Sequence, residues 1–489
     1  MAKKETDKKT ADALRDTLFF STKNQWGERD ADKRDDVFRF VEGYKAALDA
    51  GKTERLYVEF SISRLKEAGF KPLASFDSLK AGDKVYQTVR GRGIVAARIG
   101  SDDPRTGFNL IGAHVDSPRL DLKPQPVYEA QELVLFKTHY YGGIKKYQWA
   151  ALPLAIKGVV YKKDGSKVTI DIGDKPDDPA FCVTDLLPHL AKDQMQKKAT
   201  DVISGEQLNV LVGGLPFDEQ NQDIKDRFKL GLLSLLNHEY GITERDFVTA
   251  EIEVVPAANA RDVGFDRSFI GAYGQDDRVC AYTALEALID SQDLSRTALV
   301  ILYDKEETGS QGNTGASSAL YLHVQHEIMK RMLGEDPSVS DMHANHANSI
   351  VISSDVTAAL DPNFADVSDQ LNAAKAGHGI AVAKYVGSRG KGGTSDASAE
   401  LFTAVTRCFD QAGVAWQSGE LGKVDQGGGG TVAVFQAETG MEVIDCGVPV
   451  LSMHSCFEVT SKVDVYETYR AYRAFLETMG TVSDQSLFV

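Results

Sequence analysis

The run Val300-Ile301-Leu302-Tyr303 leads into Asp304-Lys305-Glu306-Glu307-Thr308-Gly309-Ser310, and this stretch constrains the fold more than any other. An apolar run with β-branched residues, bounded by turn signals, reads as a buried strand. Two adjacent glutamates stand at its C-terminal end, beside Gly309, Gly312 and Gly315, which can form the turn into a helix. In open α/β sheets, ligands bind outside the carboxyl ends of the strands. Adjacent side chains leaving a strand point in different directions. One carboxylate can therefore hold a metal while its neighbour faces a water molecule. Taken alone, Glu306-Glu307 reads more readily as a solvated acidic loop, and it is the other parts of the chain that overturn this reading.

The same pattern recurs along the chain. Phe108 to Asp116 is a second apolar strand, ending in His114-Val115-Asp116, and Ser349 to Asp355 is a third, ending in a carboxylate. Gly379 to Val386 reads as a fourth, and Pro449 to Ser452 leads to Met453-His454. Asp276 opens a helix whose apolar face is Val279, Tyr282, Leu285 and Ile289. Helical spacing also marks Ala11–Lys23, Asp35–Ala50, Leu56–Glu67 and Ser395–Ala412, and a last helix carries Val465, Tyr469, Tyr472, Leu476 and Met479. Gly427 to Gly430 is a glycine run expected to open another helix, and Val85–Ile99 reads as a hairpin.

Between residues 123 and 265 the texture changes. Glu132–Phe136, Leu154–Ile172 with its Lys163-Asp164-Gly165-Ser166 turn, and Phe247–Val255 read as strands, with one helix near Phe228–Tyr240. The expected organisation is an α/β fold with a central mixed sheet flanked by helices, built from 1–122 and 266–489. A β-rich domain, 123–265, interrupts it. A chain of 489 residues has room for two to four domains.

Composition excludes several functions. A net charge of −16 argues against a nucleic-acid surface, and no apolar run of 18 residues suggests a membrane span. Met1 to Lys9 carries four lysines and no apolar core, so a frayed tail is expected there rather than a secretory signal. Five dispersed cysteines, Cys182, Cys280, Cys408, Cys446 and Cys456, form no C-x-x-C pair. A reducing cytoplasm is the expected compartment.

His114, Asp276, Glu307, Asp355 and His454 all stand at predicted strand ends or beside them. Imidazole and carboxylate ligands suit Zn²⁺, Mn²⁺ or Co²⁺. Two metals account for the set: one Asp bridges, and each metal takes one His and one further carboxylate. Asp116, two residues after His114, returns to the same face and can orient the imidazole. Glu306 then becomes the general base that takes a proton from the attacking water. His343 and His346 have i,i+3 spacing, but are expected in a polar loop facing solvent.

Gly112-Ala113-His114-Val115-Asp116-Ser117-Pro118, Gln275-Asp276-Asp277-Arg278, Glu306-Glu307-Thr308-Gly309-Ser310, Ser353-Ser354-Asp355 and Ser452-Met453-His454-Ser455 occur in that order. Together with Pro362-Asn363-Phe364, they resemble the aspartyl aminopeptidase / vacuolar aminopeptidase I family of di-zinc exopeptidases over nearly the whole chain. The resemblance implies a zinc-exopeptidase-like fold that removes N-terminal amino acids from peptides. It implies His114, Glu307, Asp355 and His454 as terminal ligands, Asp276 as the bridge and Glu306 as the base, with either pairing of terminal carboxylate and histidine. Asp277 is then structural.

It also implies that the inserted domain mediates dimerisation and assembly into a tetrahedral homododecamer. There Leu187-Pro188-His189-Leu190 would bring His189 into a neighbour's site to hold substrate. Lys391 stands where relatives bind an acidic side chain, but the Cys-Gly-Thr-Thr type of loop is replaced here by Gly427-Gly428-Gly429-Gly430-Thr431. Preference for Asp or Glu thus rests on Lys391 alone. Two other readings compete: another di-metal amidohydrolase, such as a deacylase or carboxypeptidase, and an inactive cage or cargo-binding assembly.

Overall fold

The computed structural model describes residues 11–480, apart from Asp12 and Asp16. The lysine-rich start of the chain lies outside the described residues.

The strand Ala298–Tyr303 stands near the middle of a nine-stranded mixed sheet. It pairs in parallel with Asn109–His114, which pairs in parallel with Ile350–Ser353, and that strand in turn with Glu442–Gly447. These four strands form the parallel centre, and the flanking Gly93–Arg98 and Ile380–Ala383 are antiparallel to it. Side-chain alternation explains why the central strands are apolar throughout. Val300 and Leu302 pack into one core with Tyr44, Leu285, Tyr472 and Phe475. Leu299, Ile301 and Tyr303 pack into another with Tyr321, Val324 and Ile328. A strand covered by helices on both faces needs no polar face. Each fully buried branched side chain contributes about 1.5–3 kcal/mol, so this strand firmly anchors the Glu306-Glu307 loop at its end.

A seven-stranded antiparallel sheet runs in the order Lys167–Ile172, Leu154–Tyr161, Glu251–Pro256, Arg119–Ala130, Leu133–Tyr141, Val210–Gly213, Cys182–Val183. Its first strand along the chain begins at Arg119, so one continuous strand crosses position 122. A small five-stranded sheet joins Phe269–Ala272 to Glu458–Ser461, and Glu458–Ser461 to Pro449–Leu451. This pairing brings the chain entering Asp276 next to the turn that holds His454. Gly274 makes the bend with φ 74°, where a Cβ would lie 1.8 Å from the Arg278 guanidinium, so only glycine fits.

Several sequence expectations change in detail. Phe247 is not in a strand. Residues Glu244–Thr249 form a 3₁₀ turn, because Thr243 and Asp246 cap each other's backbones, and the ladder starts only at Glu251. His343 and His346 stand on the helix Val339–Asn348, opened by a Ser338–Asp341 capping box, and His346 is buried rather than facing solvent. The first helix ends at Leu18, short of Lys23. The glycine run 427–430 is irregular, and the helix after it is only Ala433–Ala437. No described helix is long and apolar enough to cross a membrane.

Candidate metal centre

Tyr303 lies beside His114 in the parallel ladder, and Ser353 beside Gly112. The chain segments after these three strands therefore leave the sheet together. They carry Glu306-Glu307, Asp116 and Asp355 to one place, where the helix start at Asp276 and the turn at His454 meet them. Lys305 and His454 hold left-handed φ angles of 68° and 63°. Such conformations in non-glycine residues cost about 1–3 kcal/mol and collect at functional sites.

Asp276 is the hub. Its Oδ1 lies 3.2 Å from His114 Nε2, and its Oδ2 lies 3.2 Å from His454 Nε2. Asp355 Oδ1 and Glu306 Oε2 each lie 3.7 Å from His114 Nε2, and Glu307 Oε2 lies 3.5 Å from His454 Nε2. The geometry thus sets Asp355 beside His114 and Glu307 beside His454, an arrangement the sequence left open. Donor atoms of Asp276, Glu307 and His454 lie within 4.8 Å of one another, as do those of His114, Asp277 and Asp355. Asp277 is near for another reason: its Oδ2 accepts the backbone N–H of His114 at 3.3 Å, not the ring. Of the two aspartates, it is Asp276 that faces both rings.

Charge is crowded here. Burial, with Asp355 and Asp276 nearby, pushes the Glu306 carboxyl up to about 8 against the pull of His114. Burial and Asp276 also hold Glu307 well above the carboxylate range. Against the lowering effect of burial, Asp276 and Glu307 hold the His454 imidazolium up to about 10. His114 is raised likewise: Asp116, Asp276 and Asp355 outweigh its burial.

The model of aminopeptidase I zinc metalloproteases (M18) matches residues 47–476. The chain belongs to the M18 aminopeptidase family. A probable M18 family aminopeptidase 1 of Clostridium acetobutylicum is 47% identical over 463 residues, covering 94% of this chain and 99% of that protein. The crystal structure of an M18 aminopeptidase from Thermotoga maritima superposes with a TM-score of 0.90 at 48% identity, over 94% of this chain and 100% of that one. A yeast aminopeptidase 1 structure, described as a dodecamer, shares the fold at 22% identity with a TM-score of 0.71, over 91% of this chain and 97% of that one. The mixed α/β architecture and an aminopeptidase activity dependent on zinc are consequences of this membership.

The residues of this aminopeptidase fit zinc. Imidazole nitrogens and carboxylate oxygens converge, and two of them, His114 Nε2 and Glu307 Oε1, are buried with no hydrogen-bond partner. The structure brings His114, Asp116, Asp276, Glu306, Glu307, Asp355 and His454 together. It does not bring His189 or Lys391 to them. His189 is exposed in the loop after Cys182–Val183 of the seven-stranded sheet. Lys391 Nζ lies 3.2 Å from Asp396 and 3.8 Å from the Tyr385 ring centroid, in an exposed loop.

Sequence reading missed Glu458, Tyr141 and Gly143. Glu458 is almost fully buried. Its Oε1 accepts the backbone N–H of His454 at 2.7 Å, and its Oε2 accepts that of Asp276 at 3.1 Å. A glutamate four residues after His454 inside a strand pattern was its only signal. Tyr141 Oη donates to Asp116 Oδ2 at 2.7 Å, and the Gly143 carbonyl accepts from His454 Nδ1 at 2.9 Å. These two come from a distant part of the chain, and nothing local announced them.

Proposed function

We propose that the aminopeptidase works through a two-ion centre. Asp276 bridges, His114 and Asp355 complete one site, and His454 and Glu307 complete the other. The observation that carries this reading is the placement of Asp276 between the two imidazoles, with one oxygen toward each. Zinc held by these residues would supply Lewis-acid polarisation of the scissile carbonyl and would acidify the attacking water. Mn²⁺ or Co²⁺ could occupy the same ligands.

Glu306 moves the proton. It takes one from the attacking water as the C–O bond forms, and returns it to the departing amine as the C–N bond breaks. Its position near His114 and its elevated proton affinity both suit a base that must also give the proton back. Asp116 holds Glu306 in place, accepting the backbone N–H groups of Glu306 and Glu307 at 3.1 and 3.2 Å. The substrate's free α-amine meets the surplus of carboxylates.

Three finer parts belong to the same reading. The first is a tetrahedral dodecamer in which His189 enters a neighbour's site. Support comes from exposed Leu186, Leu187, Leu190 and Met195 around His189, apolar side chains that a partner would cover. The second is a preference for acidic N-terminal residues, with Lys391 as the contact. The third is a cytoplasmic location, which five free cysteines suit.

A panel of aminoacyl substrates and N-acetylated counterparts, run with Zn²⁺, Mn²⁺ and Co²⁺, tests the central reading alongside elemental analysis. Two ions per chain and inert acetylated peptides are expected. Acetylated peptides cleaved as fast as free ones would move the enzyme to the deacylase or carboxypeptidase class. For the assembly, His189→Ala is expected to cut activity about ten- to a hundredfold with metal retained. Subunits mixed with Glu306→Gln should recover part of it. No recovery after confirmed subunit exchange rules the shared site out.

A further inference from the structure

We propose that the turn Tyr141-Gly142-Gly143, at the end of strand Leu133–Tyr141, positions both metal-facing imidazoles, making the seven-stranded sheet part of the metal centre. This role rests on the two-ion reading of the site.

An imidazole ligand is oriented by what its other nitrogen meets. His454 Nδ1 donates to the Gly143 carbonyl at 2.9 Å, which directs Nε2 toward Asp276. His114 Nδ1 lies 3.0 Å from the Asp116 carbonyl and 3.2 Å from Asp116 Oδ1. Asp116 is itself held on its other oxygen by the Tyr141 hydroxyl, at 2.7 Å. One short segment thus reaches both rings, one directly and one through Asp116.

The segment is fitted to the site. Gly142 has φ 72°, in the left-handed region, and a Cβ there would lie 3.3 Å from Glu307 Cβ and Oε2. A Cβ on Gly143 would lie 3.2 Å from His454 Nδ1. Behind it, the Arg119 guanidinium sits 3.9 Å from the Tyr141 ring centroid, and Arg119 is tied to Asp121, Glu253 and Glu54 at 2.8, 3.3 and 3.4 Å. The ring thus rests on a guanidinium that is itself held by three carboxylates. Tyr141 and Gly143 are positioning residues: neither is a metal ligand, and each acts through another side chain.

Tyr141→Phe in the full-length protein keeps the ring against Arg119 and removes only the hydroxyl. Zinc affinity is measured by competition with a chromophoric chelator, ligand geometry by the absorption spectrum of the Co²⁺ form, and folding by the unfolding midpoint of metal-free protein. The expected result is one zinc bound about 10–100-fold more weakly, an altered Co²⁺ spectrum and a nearly unchanged metal-free midpoint. Gly143→Ala should weaken the other zinc, and the double variant both. If Gly143→Ala does not fold, Tyr141→Phe decides alone. Two zincs bound with wild-type affinity and a wild-type Co²⁺ spectrum in Tyr141→Phe overturn the proposal. Wild-type protein that takes up fewer than two zincs overturns the two-ion reading, and this proposal with it.

Discussion

Two clusters of buried charge lie on either side of Tyr141, and they are built on opposite terms. In one, buried Glu54, Glu253 and Asp304, with Glu251 at its exposed rim, share Arg92 and Arg119, so each carboxylate has a guanidinium within 3.5 Å. In the other, Asp276, Glu306, Glu307 and Asp355 meet two imidazoles and, among the described residues, no lysine or arginine. Burying an unpaired charge is costly, and folded chains avoid it unless something else supplies the partner. The first cluster is closed: its cations are encoded, and it ties the helix Glu54–Glu67 and strand Gly93–Arg98 to the seven-stranded sheet. The second is open: its carboxylates have no guanidinium or ammonium partner, and burial beside Asp355 and Asp276 pushes the Glu306 carboxyl up to about 8. An open cluster of this kind is completed by an ion from solution.

The difference predicts opposite responses to losing one charge. Glu306→Gln removes a carboxylate from a cluster that has too many, so the metal-free fold should be no less stable than wild type. Turnover is another matter. The amide cannot accept a proton, and loss of a positioned base typically costs 10²–10⁴-fold in kcat. Metal content by elemental analysis should stay at the wild-type value. A variant with near-normal kcat would show that Glu306 is not the base.

Arg119→Met should do the reverse. It strips the closed cluster of a cation that is 5% exposed and leaves Glu54 and Glu253 facing each other in the interior. Breaking a buried ion pair from one side costs about 3–5 kcal/mol. The unfolding midpoint in urea is the readout. A loss under about 1 kcal/mol, the range of an exposed ion pair, would mean that the network is a passenger and that the closed cluster is not closed by its arginines.

The range of the interactions sets how much of this was readable beforehand. Val300–Tyr303 and Phe108–Ala113 declared themselves because a strand buried on both faces must be apolar, and the residue that ends such a run stands out. His114, Glu306, Glu307 and Asp355 were legible for that reason, and Asp276 and His454 by their motif context. Their pairing was not, because it depends on which strands neighbour one another in a mixed sheet. Tyr141 and Gly143 end an ordinary-looking strand, and Arg119, Glu54 and Glu253 acquire their meaning only when three distant segments meet. Phe247 misled because a local Thr243–Asp246 capping box overrode an alternating pattern. His346 misled because a polar composition concealed a helix with one buried edge.

The smallest expected effect is graded rather than all-or-none, and it concerns protons in the open cluster. In the metal-free protein the His454 imidazolium persists up to about 10, and His114 is raised in the same direction. A histidine whose folded pKa is raised adds stability that is fully present below its unfolded value, about 6.5, and lost as pH rises through the folded value. The Glu306 carboxyl, raised to about 8, acts with the same sign, while the lowered Asp276 exerts its effect only below about pH 4, outside this range. The metal-free unfolding midpoint should therefore fall as pH rises from about 6.5 to about 9. Zinc binding runs the other way, since each ion must displace protons from its ligands. Measured by chelator competition between about pH 6 and pH 8, affinity should rise about tenfold per pH unit for each proton released. Zinc affinity independent of pH across that range would mean that the imidazoles are already neutral, and that the two clusters differ less than their geometry implies.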